Sequence, residues 1–156
     1  MVAETSDLVA AADHVTRESA FRIDPRRRAM IGYSFGGIVT TLAVSGRSDF
    51  HAVVVQAPGA LNWNRSAELR SALTAAARKI TAPLQCMVAE NDATTESARV
   101  ICGAAKDAEL KVYPPFTPTN PMREGVAPGH ALFSPQGLSL WRADVLAFLE
   151  KRLRQP

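Results

Sequence analysis

Residues 32 to 37 read Gly32-Tyr33-Ser34-Phe35-Gly36-Gly37, between the apolar runs Ala29-Met30-Ile31 and Ile38-Val39-Thr40-Thr41-Leu42-Ala43-Val44. The pattern predicts a strand, a tight turn carrying a serine, and a helix. A turn that lifts a serine hydroxyl above a strand end forces strand and helix together, so positions two before and two after it tolerate little beyond glycine. Gly32 and Gly36 occupy those positions. At a helix N-terminus, the dipole and the free N–H of Phe35 would stabilise an oxyanion formed on an attacked carbonyl. Ser34 is therefore a candidate nucleophile and Phe35 a candidate oxyanion donor. The plainer reading is an ordinary strand-to-helix turn with Ser34 as N-cap. A phosphate-cradling turn is disfavoured, because the lysine of a P-loop and the third glycine of a dinucleotide fingerprint are both missing.

A serine hydroxyl attacks well at neutral pH only when a base takes its proton, and a carboxylate best holds that base in one tautomer. In an open parallel sheet such partners come from loops at the C-terminal strand ends. The apolar run ending at Val88 leads into Glu90-Asn91-Asp92, and the run ending at Tyr113 leads through a proline-rich stretch to Gly129-His130. Asp92 and His130 are thus the expected partners. Glu90 competes with Asp92 for the acid position. His14, inside a helical pattern, and His51, at a strand start, read as surface or packing residues.

The elements that would position these groups alternate. Leu8, Ala12, Val15 and Ser19/Ala20 recur at helical spacing from Ser6 to about Phe21, with Thr5 or Ser6 as cap. Strands are expected at 28–31, 51–55, 84–88 and 110–113. Helices are expected from the Ser34 turn to about Ser45, closed by Gly46, then along Leu69, Leu73, Ala76 and Ile80, and from Thr94 or Thr95 through Ala105. Such alternation predicts an α/β fold: a three-layer sandwich with a mostly parallel sheet of about four strands and helices on both faces. Five of the ten prolines fall between Pro114 and Pro128, a long loop stiffened by its composition. Ser134 and Pro135 then open a final helix with an apolar stripe of Leu138, Trp141, Val145, Leu149 and Leu153.

The order Ser, Asp, His on successive strand ends resembles the α/β-hydrolase superfamily, and within it the dienelactone hydrolase group. The resemblance is carried by Gly32-Tyr33-Ser34-Phe35-Gly36-Gly37, Ala89-Glu90-Asn91-Asp92 and Gly129-His130-Ala131-Leu132-Phe133, and it spans nearly the whole chain. It implies Ser34 as nucleophile, Asp92 as orienting acid and His130 as general base and then general acid. Tyr33, Trp63, Phe116 and Phe133 are candidate substrate-lining residues, although aromatics near loops more often pack against their own scaffold. The dienelactone hydrolases that name the group carry cysteine where this chain has Ser34, which favours small carboxylic esters cleaved through an acyl-enzyme. A peptidase of the prolyl oligopeptidase type shares the triad but would need a substrate-gating domain, for which these residues leave no room.

By the same analogy, the Ser34 strand is the fifth of eight. Only 33 residues precede Ser34. A truncated α/β-hydrolase fold in one domain spanning residues 1–156 is therefore expected, without the loop that gives a second oxyanion N–H. Ala29-Met30-Ile31 would then form an exposed apolar edge, covered by the rest of a longer chain or by a second copy as a homodimer. The alternative to a hydrolase is an incomplete, weakly active or non-catalytic module that associates through that edge.

Composition sets outer limits. With 47% apolar and 21% charged residues in 156, one soluble domain with a real core is expected. The net charge of +3 is dispersed, and Arg26-Arg27-Arg28 reads as a solvated face, so no nucleic acid partner is implied. No apolar run reaches membrane-span length and no signal peptide pattern opens the chain, which predicts no membrane partner and a cytoplasmic location. Cys86 and Cys102 read as buried small hydrophobes. No metal or organic cofactor is implied, and the expected partner is a small-molecule ester substrate.

Overall fold

The computed structural model describes residues 2–18, 20, 22–120 and 122–154. Four apolar runs become the strands β1 (Ala29–Tyr33), β2 (Ala52–Gln56), β3 (Leu84–Ala89) and β4 (Ala108–Tyr113). All three pairings are parallel, and the sheet order β1-β2-β3-β4 follows chain order. Parallel neighbours need crossovers, which are α2 (Phe35–Ala43), α3 (Ala67–Ala77) and α4 (Glu96–Ala104). Each crossover steps the same way across the sheet, so a constant hand puts all three helices on one face. The helix α1 (Val2–Arg17) packs beside α2, and α5 (Leu138–Leu153) packs against β2 on the other face.

Side-chain alternation divides the core between the two faces. Val53 and Val55 of β2 join Leu73, Leu84, Cys86 and Ile101 under the first helix layer. Ala52 and Val54 join Met87, Leu132, Val145 and Phe148 under α5. The central strands β2 and β3 are buried at every position, as a strand covered on both faces must be.

Local departures from expectation have local causes. The first helix starts at Val2, so Thr5 and Ser6 lie inside it; nothing in residues 2–5 breaks a helix and Glu4 suits the first turn. Its expected end at Phe21 lies outside the described residues, as does Pro121 of the proline-rich loop. Ser134 accepts from the Gln136 N–H at 3.3 Å, but Pro135–Gly137 form a 3-10 turn and the α-helix begins at Leu138. Leu138 is exposed, and Phe148, one turn from Val145, takes its place in the core.

The basic run Arg26-Arg27-Arg28 splits. Arg26 and Arg27 are solvated beside Asp24, whereas the Arg28 side chain is only 11% exposed and is held by Asp49 at 2.7 Å and Asp13 at 3.4 Å. At the sheet edge Ile31 is 49% exposed and borders a groove of about 450 Å³ between β1 and α1. No helix among the described residues is long and apolar enough to cross a membrane.

Candidate active site

Ser34 follows β1 with φ 54° and ψ −113°, a conformation that L-residues avoid and that persists only where surrounding bonds dictate it. Those bonds are present. The Ser34 N–H donates to the Gln56 carbonyl at 2.8 Å, and its carbonyl accepts from Ile38 at 3.2 Å and Gly59 at 3.4 Å. The strained turn is thus pinned by β2, by the loop after it and by α2.

The need for glycine differs from the sequence expectation. A Cβ on Gly32 would collide with the Gly36 carbonyl and the Thr40 hydroxyl, and one on Gly37 would lie 3.0 Å from Pro58 Cα. A Cβ on Gly36 would meet nothing within 4 Å. The close approach runs from the Gly32 Cα to the Gly36 backbone, so it constrains the first position and not the second; crossing of the turn over Pro58 constrains Gly37 instead.

Ser34 makes no side-chain capping bond. Its Oγ lies 2.8 Å from His130 Nε2, and His130 Nδ1 lies 3.0 Å from each oxygen of Asp92. With the proton on Nδ1 donated to Asp92, Nε2 is free to accept from the serine. His130 is 2% exposed, and the Asp92 side chain is fully buried. The Phe35 N–H, in the first turn of α2, has no acceptor four residues back in the helix and stands beside Ser34.

Three contacts hold the two loops in this register. Asn91 grips the proline-rich loop at Phe116, donating from Nδ2 to its carbonyl and accepting its N–H on Oδ1, both at 2.9 Å. Gly129 donates to the Asn91 carbonyl at 3.2 Å and is pressed so close to Asn91 and Asp92 that a Cβ would collide with their backbone. Tyr33 donates its hydroxyl to the His130 carbonyl at 2.6 Å, with ring centroids 5.1 Å apart. Burial, with Asp92 close by, pushes the Tyr33 phenol up to about 12, so it stays a donor across the neutral range. The Asp92 carboxylate also accepts the Ala93 N–H at 2.6 Å.

The other expected residues fall differently. Glu90 is exposed and His14 lies exposed on α1, while the His51 N–H bonds Arg28 at the opposite end of the sheet. Trp63 is 2% exposed within the core under α3 and lines no part of the cleft that holds Ser34; a depression of about 720 Å³ beside it contains none of the triad. Phe133 is likewise a core residue, stacked behind Tyr33 and against Tyr113 and Trp141. The cleft at Ser34, about 290 Å³, is instead walled by Tyr33, Leu61, Met122, Arg123 and Val126 with His130. Four of those lie in loops where no periodicity marks an inward face; the proline-rich composition of 114–128 was the available signal for three of them.

Among the described residues no group of three or more His, Cys, Asp or Glu is placed to hold a metal ion. Residues 2–98, more than half the chain and including Ser34 and Asp92, match the model of the prolyl oligopeptidase family. No curated protein matches the chain. Among solved structures, a cold-adapted esterase from an Arctic intertidal metagenomic library is similar with TM-score 0.70 and 18% identity, covering 98% of this chain and 59% of that one. A protein assigned as a dienelactone hydrolase from Klebsiella pneumoniae has TM-score 0.63 and 20% identity, covering 93% and 61%. The acylaminoacyl peptidase of Pyrococcus horikoshii has TM-score 0.70 and 15% identity, covering 97% and 28%. The chain therefore spans about three fifths of the length of the esterases it matches, and at these identities the likeness establishes the α/β-hydrolase fold.

Proposed function

The chain belongs to the prolyl oligopeptidase family, whose peptidase reading the sequence alone disfavours, and within that family we propose that it is a serine hydrolase cleaving small carboxylic esters through an acyl-enzyme. The continuous relay from Asp92 through His130 to Ser34, at 3.0 and 2.8 Å, carries this reading. His130 removes the Ser34 proton as Oγ attacks the carbonyl carbon, and Asp92 stabilises the imidazolium that results. The Phe35 N–H takes the developing oxyanion. His130 then gives its proton to the departing alkoxide, and a water activated by the same nitrogen releases the acid.

Esters are favoured over amides because an alkoxide leaves more readily than an amine from a tetrahedral intermediate held by a single assigned donor. One donor of an oxyanion hole is worth about 2.7–4 kcal/mol, so turnover by these residues alone is expected to be slow. A fluorophosphonate is the direct probe. A stoichiometric mass adduct on the chain, absent in Ser34→Ala, supports the reading; folded protein without an adduct overturns it.

Ile31 supports a second reading, association of two copies through β1. An edge strand with half-exposed apolar side chains is a template for pairing. Sedimentation would then give a dimer that Ile31→Lys converts to monomer.

A further inference from the structure

Resting on that reading of the site, we propose that the cleft is built for an anionic substrate: an ester bearing a carboxylate that pairs with Arg123, beside an apolar chamber for the rest of the molecule. The lining residues argue for both halves. Among the described residues, and apart from His130, which the relay uses, Arg123 is the one ionisable basic or acidic side chain on the wall of the cleft that holds Ser34. Tyr33 is the only other titratable group described there, and it is neutral. The nearest fixed negative charge of the machinery, Asp92, is buried behind His130 and engaged with it.

Arg123 is exposed and makes no ion pair or side-chain hydrogen bond among the described residues; its backbone carbonyl alone is used, accepting from Val126 at 3.3 Å. This differs from Arg28 and Arg47, which are locked to Asp13 and Asp49. A guanidinium left free over a reaction cleft offers a planar fork that matches a carboxylate in two parallel hydrogen bonds. A neutral substrate would leave it solvated and unused.

Met122 and Val126, on either side of Arg123 in sequence, also wall a second cavity of about 280 Å³. Thr117, Pro118, Pro128 and Ala131 complete most of it, with no charged side chain. The proline-rich loop thus sets a mostly apolar chamber and the cationic Arg123 side by side, next to the cleft that holds the nucleophile. That pairing selects a substrate with an apolar part and one anionic group.

Matched probes test it: 4-carboxyphenyl butyrate and its neutral isostere 4-carbamoylphenyl butyrate. For the unaltered chain, kcat/KM is expected to favour the carboxylate about fivefold at low salt, with the ratio shrinking at 0.5 M NaCl. In Arg123→Gln the ratio falls to about one, and in Arg123→Glu it inverts. Equal values in the unaltered chain, or a loss of the same factor on both probes in Arg123→Gln, would overturn the inference; the second result would place Arg123 on the oxyanion instead. Binding of the same two probes to Ser34→Ala, by calorimetry, reads the subsite without turnover. A carboxylate preference there that Arg123→Gln removes supports the subsite even where hydrolysis fails, and Ser34-dependent hydrolysis without any preference sinks the subsite alone.

Discussion

The two ends of the sheet carry charge in opposite ways. Near the N-terminal ends of β1 and β2, Arg28 and Arg47 meet Asp13 and Asp49 at 2.6 to 3.4 Å, and both guanidinium groups lie over the Phe50 ring, at 4.7 and 5.5 Å. At the C-terminal ends, Asp92, His130 and Ser34 form a single file. The first cluster uses guanidiniums, which never lose their proton, and carboxylates that remain about a third exposed. The second buries its carboxylate and interposes an imidazole, whose two ring nitrogens can accept a proton on one side and donate on the other. Fixed charges in a redundant net hold helix α1 and the strand ends in place. A single file, in which His130 alone bridges Asp92 and Ser34, is the arrangement that the proposed proton relay needs.

The contrast predicts opposite responses to small changes. Asp92→Asn keeps size and the acceptor for Ala93, but an amide nitrogen facing Nδ1 forces the wrong histidine tautomer. The fluorophosphonate labelling rate should fall by about 10⁴ while the melting temperature changes little. A loss of only a few-fold would mean that the buried carboxylate is structural, and the difference between the two ends would vanish.

At the other end, Arg28→Met removes a mostly buried cation and leaves Asp49 to Arg47 alone. Destabilisation of about 2 kcal/mol is expected, or a fall of roughly 4–8 °C in Tm for a domain of this size, with an unchanged labelling rate of the folded fraction. The cluster also has an acid limit. Hydrogen bonding to Arg47 holds the Asp49 carboxyl below its usual range, so its contribution is fully present above about pH 4 and is lost as pH falls through the lowered folded value. Thermal melts between pH 6 and pH 3 should converge for the parent and Arg28→Met as that contribution disappears. Parallel curves would show that Arg28 acts through packing on Phe50 alone.

Much of this was legible in the residues, for identifiable reasons. The four strands and the meeting of Ser34, Asp92 and His130 at their ends follow from short apolar runs and from Asp92 and His130 standing just past two of them, a signal written in local sequence. The walls of the cleft were not legible in the same way. Leu61, Met122, Arg123 and Val126 sit in loops, where neither a period of 2 nor one of 3.6 indicates which side faces inward, and large aromatics drew attention that belonged to them. Trp63 and Phe133 are buried because a helix layer and α5 close over them. Arg28 was misread as solvated for a similar reason: its partners Asp13 and Asp49 are 15 and 21 residues away in sequence. Gly36 looked obligatory by position, yet the contact it makes is through its backbone to Gly32.

Tyr33 is where the two kinds of reading meet, since it lines the cleft and also ties the elbow to the His130 loop. A substrate contact and a positioning contact differ in kinetics. If the phenol mainly touched substrate, Tyr33→Phe would raise KM and leave kcat almost alone. The 2.6 Å bond to the His130 carbonyl argues for the other outcome, because removing it frees the loop that aims Nε2 while the ring keeps its place on the cleft wall. A net hydrogen bond of about 1 kcal/mol corresponds to a roughly fivefold fall in kcat, with KM within about twofold of the parent and a comparable loss of stability. A KM effect alone would return Tyr33 to the substrate, leaving Asn91 and Gly129 to hold the relay in line.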